Sequence, residues 1–110
     1  MSLKNSHKIF VKEALKRHEI FEKLDYYLKL LKKVVKNINS KAEVYLFGSV
    51  AEGKHTYSSD IDVLIITRLK PEIFHYRLWK EGIKPPFEIH VQPPENLKIY
   101  RRRSKLVKVA

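Results

Sequence analysis

The chain has 110 residues and no cysteine, so it is long enough for one domain with its own core and excludes disulfides, thiolate metal ligands and cysteine nucleophiles. The start lacks the apolar run of a signal peptide, and no stretch approaches the ~18 apolar residues of a transmembrane helix, so a cytoplasmic protein without membrane contact is expected. The formal net charge of +11 favours anionic partners, with a Lys-rich solvated surface as the alternative interpretation.

The first 40 residues are predicted to form an N-terminal helical segment. If Arg17 is counted in the series, apolar residues recur every three or four positions from Phe10 to Ile38, which is typical of one apolar helix face and close to a heptad repeat. The pattern fits one long helix or two helices with a break near His18. A helix of about 30 residues would be about 45 Å long, so part of it is expected to project and bind a partner.

The rest of the chain predicts a small α/β (α+β) core at residues 41–103, followed by a basic tail at 104–110, all within a single domain 1–110. The tail and the preceding Arg101, Arg102 and Arg103 are expected to be mobile. A helix is expected from Pro71 to about Glu81, because Pro suits the first helical turn and a Gly follows the end. A short basic helix is expected from Pro94 to about Arg103. Segments rich in β-forming residues predict three strands, at 43–47, 60–67 and 87–92.

A Gly-Ser pair follows the first predicted strand, and Asp-x-Asp begins the second after ten intervening residues: Gly48, Ser49, Asp60 and Asp62. Two aspartates at this spacing in a strand project from one face, about 6.5–7 Å apart. They repel each other unless a cation lies between them, and their hard oxygen ligands suit Mg²⁺. The alternative is a turn at Asp60 and a solvated Asp62, which fits poorly with the apolar residues that follow.

The residues around the Gly-Ser pair are candidates for phosphate binding. A glycine directly after a strand lets backbone N–H groups approach a ligand closely. The Ser49 hydroxyl is expected to cap a following short helix or to contact phosphate. Lys54 and His55, in the loop before the second strand, are further candidates, unless both are merely solvated.

This pattern resembles the signature of the minimal (MNT-type) nucleotidyltransferases in the DNA polymerase β-like superfamily, and with the order of elements the resemblance extends over residues 25–100. It implies a small mixed sheet of three or more strands with flanking helices. It also implies magnesium-dependent transfer of a nucleoside monophosphate, AMP from ATP in the simplest case, to an acceptor. Two Mg²⁺ ions would bridge the triphosphate and the carboxylates, and pyrophosphate would be released.

The family uses a third carboxylate on a neighbouring strand, and in this chain that position falls on Glu88 rather than the usual Asp. Strand alternation places Glu88, His90 and Gln92 on one face. Glu88 is expected to bind metal or to act as base toward the attacking hydroxyl, the alternative being a solvated residue. His90 is expected to contact nucleotide or the second shell of the metal, the alternative being a plain polar-face histidine.

These assignments make a topological prediction. Gly48 ends the first strand, whereas Asp62 and Glu88 lie near the starts of the second and third. A common site therefore requires the first two strands to be antiparallel and the last two to be parallel, with the helix from Pro71 as the crossover connection.

The resemblance to minimal members also implies a helical partner protein of the HEPN kind, in a toxin–antitoxin pair whose antitoxin is this chain. The partner would complete the site or accept AMP, and the N-terminal helix would mediate that contact or a homo-oligomer. Two other classes stay open: a non-catalytic partner-binding module, and a basic protein that binds RNA through its C-terminal residues. Those residues are Arg101, Arg102, Arg103, Lys105 and Lys108.

Overall fold

The computed structural model describes residues 3–110, with side chains from Lys8 onward. Its elements are α1 Leu3–Glu22, α2 Leu24–Ile38, β1 Glu43–Phe47, α3 Gly48–Ala51, β2 Ile61–Ile66, α4 Pro71–Lys80, β3 Phe87–Gln92, a 3-10 turn Pro94–Asn96, α5 Leu97–Arg103 and β4 Val107–Lys108. The predicted strands at 43–47 and 87–92 are confirmed, and the strand predicted at 60–67 is one residue shorter at each end.

The four strands form one mixed sheet in the order β3-β2-β1-β4. β1 is antiparallel to β2, and β2 is parallel to β3. Both pairings agree with the topology that was predicted from a common site. Because Phe47 pairs with Asp62 and Asp62 pairs with Glu88, these three residues form one row across the sheet. The predicted α/β class and the crossover through α4 are confirmed.

The main core lies between one face of the sheet and the helices α2 and α4. Leu31 and Val35 of α2 and Phe74 of α4 are fully buried there against Val63 of β2. On the opposite face, α5 covers a second, smaller cluster of buried residues, Tyr45, Leu64 and Ile66. Since Asp62 lies on that second face beyond the end of this cluster, the row containing the two carboxylates is left accessible.

The N-terminal helical segment consists of two helices, and the break lies at Lys23 rather than near His18. α2 buries residues against the sheet. From Lys8 onward, α1 buries only Ile20 in the core, with Phe21 partly buried against it, and leaves Phe10 69% exposed. The end of α1 packs on the loop before β2, where Arg17 and Glu22 both form hydrogen bonds with Tyr57. Within residues 3–110, no helix combines the length and apolar character needed to cross a bilayer.

The prediction of a mobile tail at residues 104–110 is wrong. Val107–Lys108 pairs with the free edge of β1, where the Val109 N–H donates to Val44 O at 2.8 Å and the Val44 N–H donates to Ala110 O at 2.9 Å. Lys108 also forms an ion pair with Glu43 at 3.4 Å. The tail is ordered because an exposed strand edge offers unpaired backbone groups.

Candidate active site

Three side chains that carry metal ligands meet on the accessible end of the sheet. The ligand atoms of Asp62, Glu88 and His90 all lie within 4.8 Å of one another. His90 Nε2 is 3.5 Å from Glu88 Oε1 and 3.8 Å from Asp62 Oδ1. The strands therefore bring together two of the predicted carboxylates and the histidine predicted beside them. We call this group the metal cluster.

The electrostatic environment of the metal cluster disfavours a charged Asp62. Burial, and then the negative charge of Glu88, raise the pKa of the Asp62 carboxyl above its usual range, while His90 opposes the shift. The Asp62 side chain is 23% exposed, whereas Glu88 is 55% exposed. A divalent cation between these carboxylates would relieve their repulsion and replace the hydration that Asp62 loses on burial.

His90 contributes a nitrogen that has no hydrogen-bond partner among the described residues. Its Nε2 atom is buried and forms no hydrogen bond there. Phe47 and Tyr100 hold the imidazole ring by edge contacts, with ring centroids 5.0 and 6.4 Å away. A buried nitrogen without a hydrogen bond is costly unless a ligand satisfies it. Two carboxylates and an imidazole form a donor set that fits a divalent metal ion.

Gly48 serves the site through its lack of a side chain. It has a φ of +72°, and a Cβ atom at this position would overlap Asp62 Oδ2. The glycine therefore lets the turn after β1 pass directly over the Asp62 carboxylate. Ser49 lies inside α3, where no side chain caps the helix, so the expected capping role is wrong. Its contact with phosphate stays a prediction.

The loop of residues 54–60, called here the 54–60 loop, carries three of the predicted site residues away from the metal cluster. Asp60 precedes β2 and is 60% exposed; its carboxylate lies outside the cluster and 3.7 Å from Arg17 Nη2. His55 stacks on Phe21 of α1, with ring centroids 5.3 Å apart and planes inclined by 8°. Lys54 is exposed. The structure thus gives Asp60 and His55 partners on α1, and their roles toward metal and phosphate stay predictions.

Sequence reasoning missed Arg17. It was included only as a member of the apolar helical series, yet its guanidinium donates to the backbone carbonyls of Tyr57, Ser58 and Ser59. An arginine within an otherwise apolar stripe was the one available signal, since it implied a charged group facing a packed surface. Its partners lie 40 or more residues away in the chain and could not be inferred from spacing.

A cavity of about 370 Å³ lies beside the metal cluster, on the face of the sheet that α5 covers. Its walls include Phe47 and Tyr100, the same rings that hold His90, together with Gln92, Asn96 and Arg103. Aromatic walls with a few polar groups are typical of small-molecule sites, and this volume lies within their usual range of roughly 300–1,000 Å³.

Comparison with known proteins identifies the family. The family model described as "Nucleotidyltransferase domain" matches residues 28–109. The chain belongs to the nucleotidyltransferase family. The match begins within α2, so α1 lies outside it. The resemblance inferred from the Gly-Ser and Asp-x-Asp pattern is confirmed, and family and fold support nucleotidyl transfer as the class of activity of this nucleotidyltransferase.

One solved structure agrees with this assignment. A crystal structure of a candidate nucleotidyltransferase is 32% identical to the chain with a TM-score of 0.61, and the alignment covers 73% of this chain and 94% of that chain. A second candidate nucleotidyltransferase, from Sulfolobus solfataricus, is 25% identical with a TM-score of 0.48 and coverage of 87% and 85%. No curated protein matches this chain significantly.

Proposed function

We propose that this nucleotidyltransferase transfers AMP from ATP to a hydroxyl group of an acceptor, using a divalent cation, Mg²⁺ or Mn²⁺, held by the metal cluster. The observation that carries the proposal is the convergence of Asp62, Glu88 and His90 within 4.8 Å, with the buried His90 nitrogen facing the two carboxylates. Asp60, next to the cluster in sequence, is proposed as a further ligand.

The transfer is a substitution at the α-phosphorus of ATP. The acceptor oxygen forms a bond to this phosphorus, the bond from phosphorus to the oxygen that bridges to the β-phosphate breaks, and pyrophosphate leaves. Glu88, which is 55% exposed, is placed to take the proton of the acceptor hydroxyl. When bound, the divalent cation supplies positive charge that neutralises the phosphates and the leaving group.

The acceptor is proposed to be a helical partner protein of the HEPN kind, with this chain as the antitoxin of the pair. Support comes from α1, where apolar side chains remain exposed because no described residue covers them: Ile9, Phe10, Val11 and Leu15. Contiguous exposed apolar residues of this kind are typical of protein–protein contact. A partner seated there would lie on the helix that packs against the 54–60 loop.

The test uses ATP labelled at the α-phosphate, Mg²⁺ and, as acceptors, the proteins encoded on either side of this chain's gene, among which the proposal expects a small helical protein. We expect the label on that protein with the wild type and none with Asp60→Asn combined with Asp62→Asn. Asp25→Asn is the matched control, since this exposed aspartate opens α2 away from the cluster. Equal labelling by the double variant and the wild type would overturn the catalytic assignment.

A separate prediction concerns the metal. Because Mg²⁺ is the harder cation and takes oxygen ligands, loss of an imidazole nitrogen should affect it less than Mn²⁺. His90→Gln is therefore expected to lower Mn²⁺ affinity by at least about 10-fold, the smallest effect of losing even a group that only supports a ligand, and Mg²⁺ affinity by less. Electron paramagnetic resonance of free Mn²⁺, with Mg²⁺ as competitor, measures both affinities. His75→Gln is the control, because this histidine is exposed on α4. If His90→Gln and His75→Gln bind Mn²⁺ equally, His90 is not a ligand.

A further inference from the structure

The second half of α1 is joined to the 54–60 loop by side-chain contacts. The Tyr57 hydroxyl donates to Glu22 at 2.8 Å, and the Tyr57 ring lies 4.3 Å from the ring of His18. Phe21 stacks on His55. These contacts tie the loop that leads into Asp60 to a helix outside the segment matched by the family model.

Arg17 makes the most specific of these contacts. Its Nε donates to Tyr57 O at 3.0 Å, and its Nη2 donates to Ser58 O at 3.0 Å and to Ser59 O at 2.7 Å. Three successive carbonyls thus point toward one guanidinium, whose side chain is 28% exposed. The planar guanidinium carries five N–H donors in a fixed fork, whereas a lysine ammonium offers three donors from a single point.

The distances show which part of the loop Arg17 holds. The contacts with the carbonyls, at 2.7 to 3.0 Å, lie within hydrogen-bond range, but the contact with Asp60 Oδ1, at 3.7 Å, is too long for a hydrogen bond. Arg17 therefore fixes the backbone that leads into Asp60 and does not lock its carboxylate. Since that carboxylate is 60% exposed, it remains able to turn toward a cation held by Asp62.

We propose that Arg17 is a positioning residue, which holds the 54–60 loop so that Asp60 can complete the metal cluster. The inference rests on the proposed function, because it takes Asp60 as a metal ligand. Without the guanidinium, three convergent carbonyl dipoles would repel one another and the loop would open. Binding of the cation by Asp60 would then require the loop to become ordered, and this loss of conformational entropy would lower the affinity for the cation.

The test is a double-mutant cycle read by Mn²⁺ affinity, measured by electron paramagnetic resonance on the full chain. We expect Arg17→Ala to weaken Mn²⁺ binding by about 10-fold, at the lower end of the effect of losing an outer-shell partner. Asp60→Ala should weaken binding at least as much, and the double variant no more than Asp60→Ala alone. Lys16→Ala is the matched control, because Lys16 is exposed on the same turn of α1.

Circular dichroism and thermal unfolding check that each variant is folded. If Arg17→Ala does not fold, Arg17→Lys takes its place in the cycle, where a smaller loss with the same non-additivity is expected. Arg17→Ala that binds Mn²⁺ as tightly as Lys16→Ala would overturn the inference. So would losses for Arg17 and Asp60 that add fully, or a wild type that binds no Mn²⁺.

This cycle separates the inference from the function on which it rests. AMP transfer by the wild type is measured independently with ATP labelled at the α-phosphate. A wild type that binds Mn²⁺ but transfers no AMP contradicts the proposed function, while the cycle still decides the role of Arg17. A wild type that transfers AMP, with additive losses in the cycle, contradicts only the inference.

Discussion

Asp62→Asn is expected to lower the rate of nucleotidyl transfer by at least about 100-fold. Loss of a group that only orients a metal ligand costs up to about 100-fold, and the proposed function makes Asp62 a direct ligand. The same variant should unfold at a higher temperature than the wild type in the absence of metal. Asn has nearly the same shape but carries no charge, so it removes the cost of burying a carboxylate beside Glu88. Transfer assays and thermal unfolding with Asp25→Asn as control measure both effects.

The gain in stability should depend on pH. Because the pKa of Asp62 is raised in the folded state, the folded protein holds this proton more tightly than the unfolded chain. Protonated Asp62 therefore stabilises the folded protein. This contribution is complete at a pH below about 3.9, the pKa of an aspartate in the unfolded chain, and is lost as the pH rises through the pKa of Asp62 in the folded protein. The advantage of Asp62→Asn should therefore be present near pH 7 and vanish near pH 3. An advantage that is independent of pH would contradict this account.

Gly48→Ala is expected to be the most damaging single-methyl substitution in the chain. A side chain at a φ of +72° costs about 1–2 kcal/mol in the free energy of unfolding, and the added Cβ would also displace the Asp62 carboxylate. We therefore expect a loss of stability beyond that range and a loss of Mn²⁺ binding. Urea unfolding and electron paramagnetic resonance measure the two.

Gly53 provides a control matched in backbone geometry. Its φ is +70°, but a Cβ there would meet nothing within 4 Å. Gly53→Ala should therefore cost only the strain of about 1–2 kcal/mol and leave Mn²⁺ affinity unchanged. If Gly48→Ala and Gly53→Ala lose the same stability and both retain the metal, the close approach of Gly48 to Asp62 has no functional consequence.

The parts of the fold that could be predicted depend on local signals. Alternating β-forming residues located the strands, and Pro71 with the glycine after Glu81 located α4. The topology followed because one site had to collect residues from known strand ends. The same reasoning predicted that Glu88 lies beside Asp62 on parallel strands, as the pairing of these two residues shows. His90 follows Glu88 by two positions and therefore shares its face.

The parts that could not be predicted depend on contacts between distant residues. The break at Lys23 has no Gly or Pro to mark it, and the end of α1 beside it packs on a loop that lies more than 30 residues later. The pairing of Val107–Lys108 with β1 depends on a free strand edge that is known only once the sheet is assembled. Asp60 was placed with Asp62 by strand spacing, but β2 begins after it, and the backbone that leads into Asp60 is held by Arg17 instead.

The central claim is that the metal cluster serves nucleotidyl transfer, and it is tested most directly by comparing ATP labelled at the α-phosphate with ATP labelled at the γ-phosphate. Each is incubated with the wild-type chain, Mg²⁺ or Mn²⁺, and the proteins encoded by the neighbouring genes as candidate acceptors. The account predicts that the α-label becomes covalently attached to the acceptor, the γ-label leaves in pyrophosphate, and Asp62→Asn or a chelator abolishes the transfer. Attachment of the γ-label, or α-labelling that survives Asp62→Asn, would contradict it.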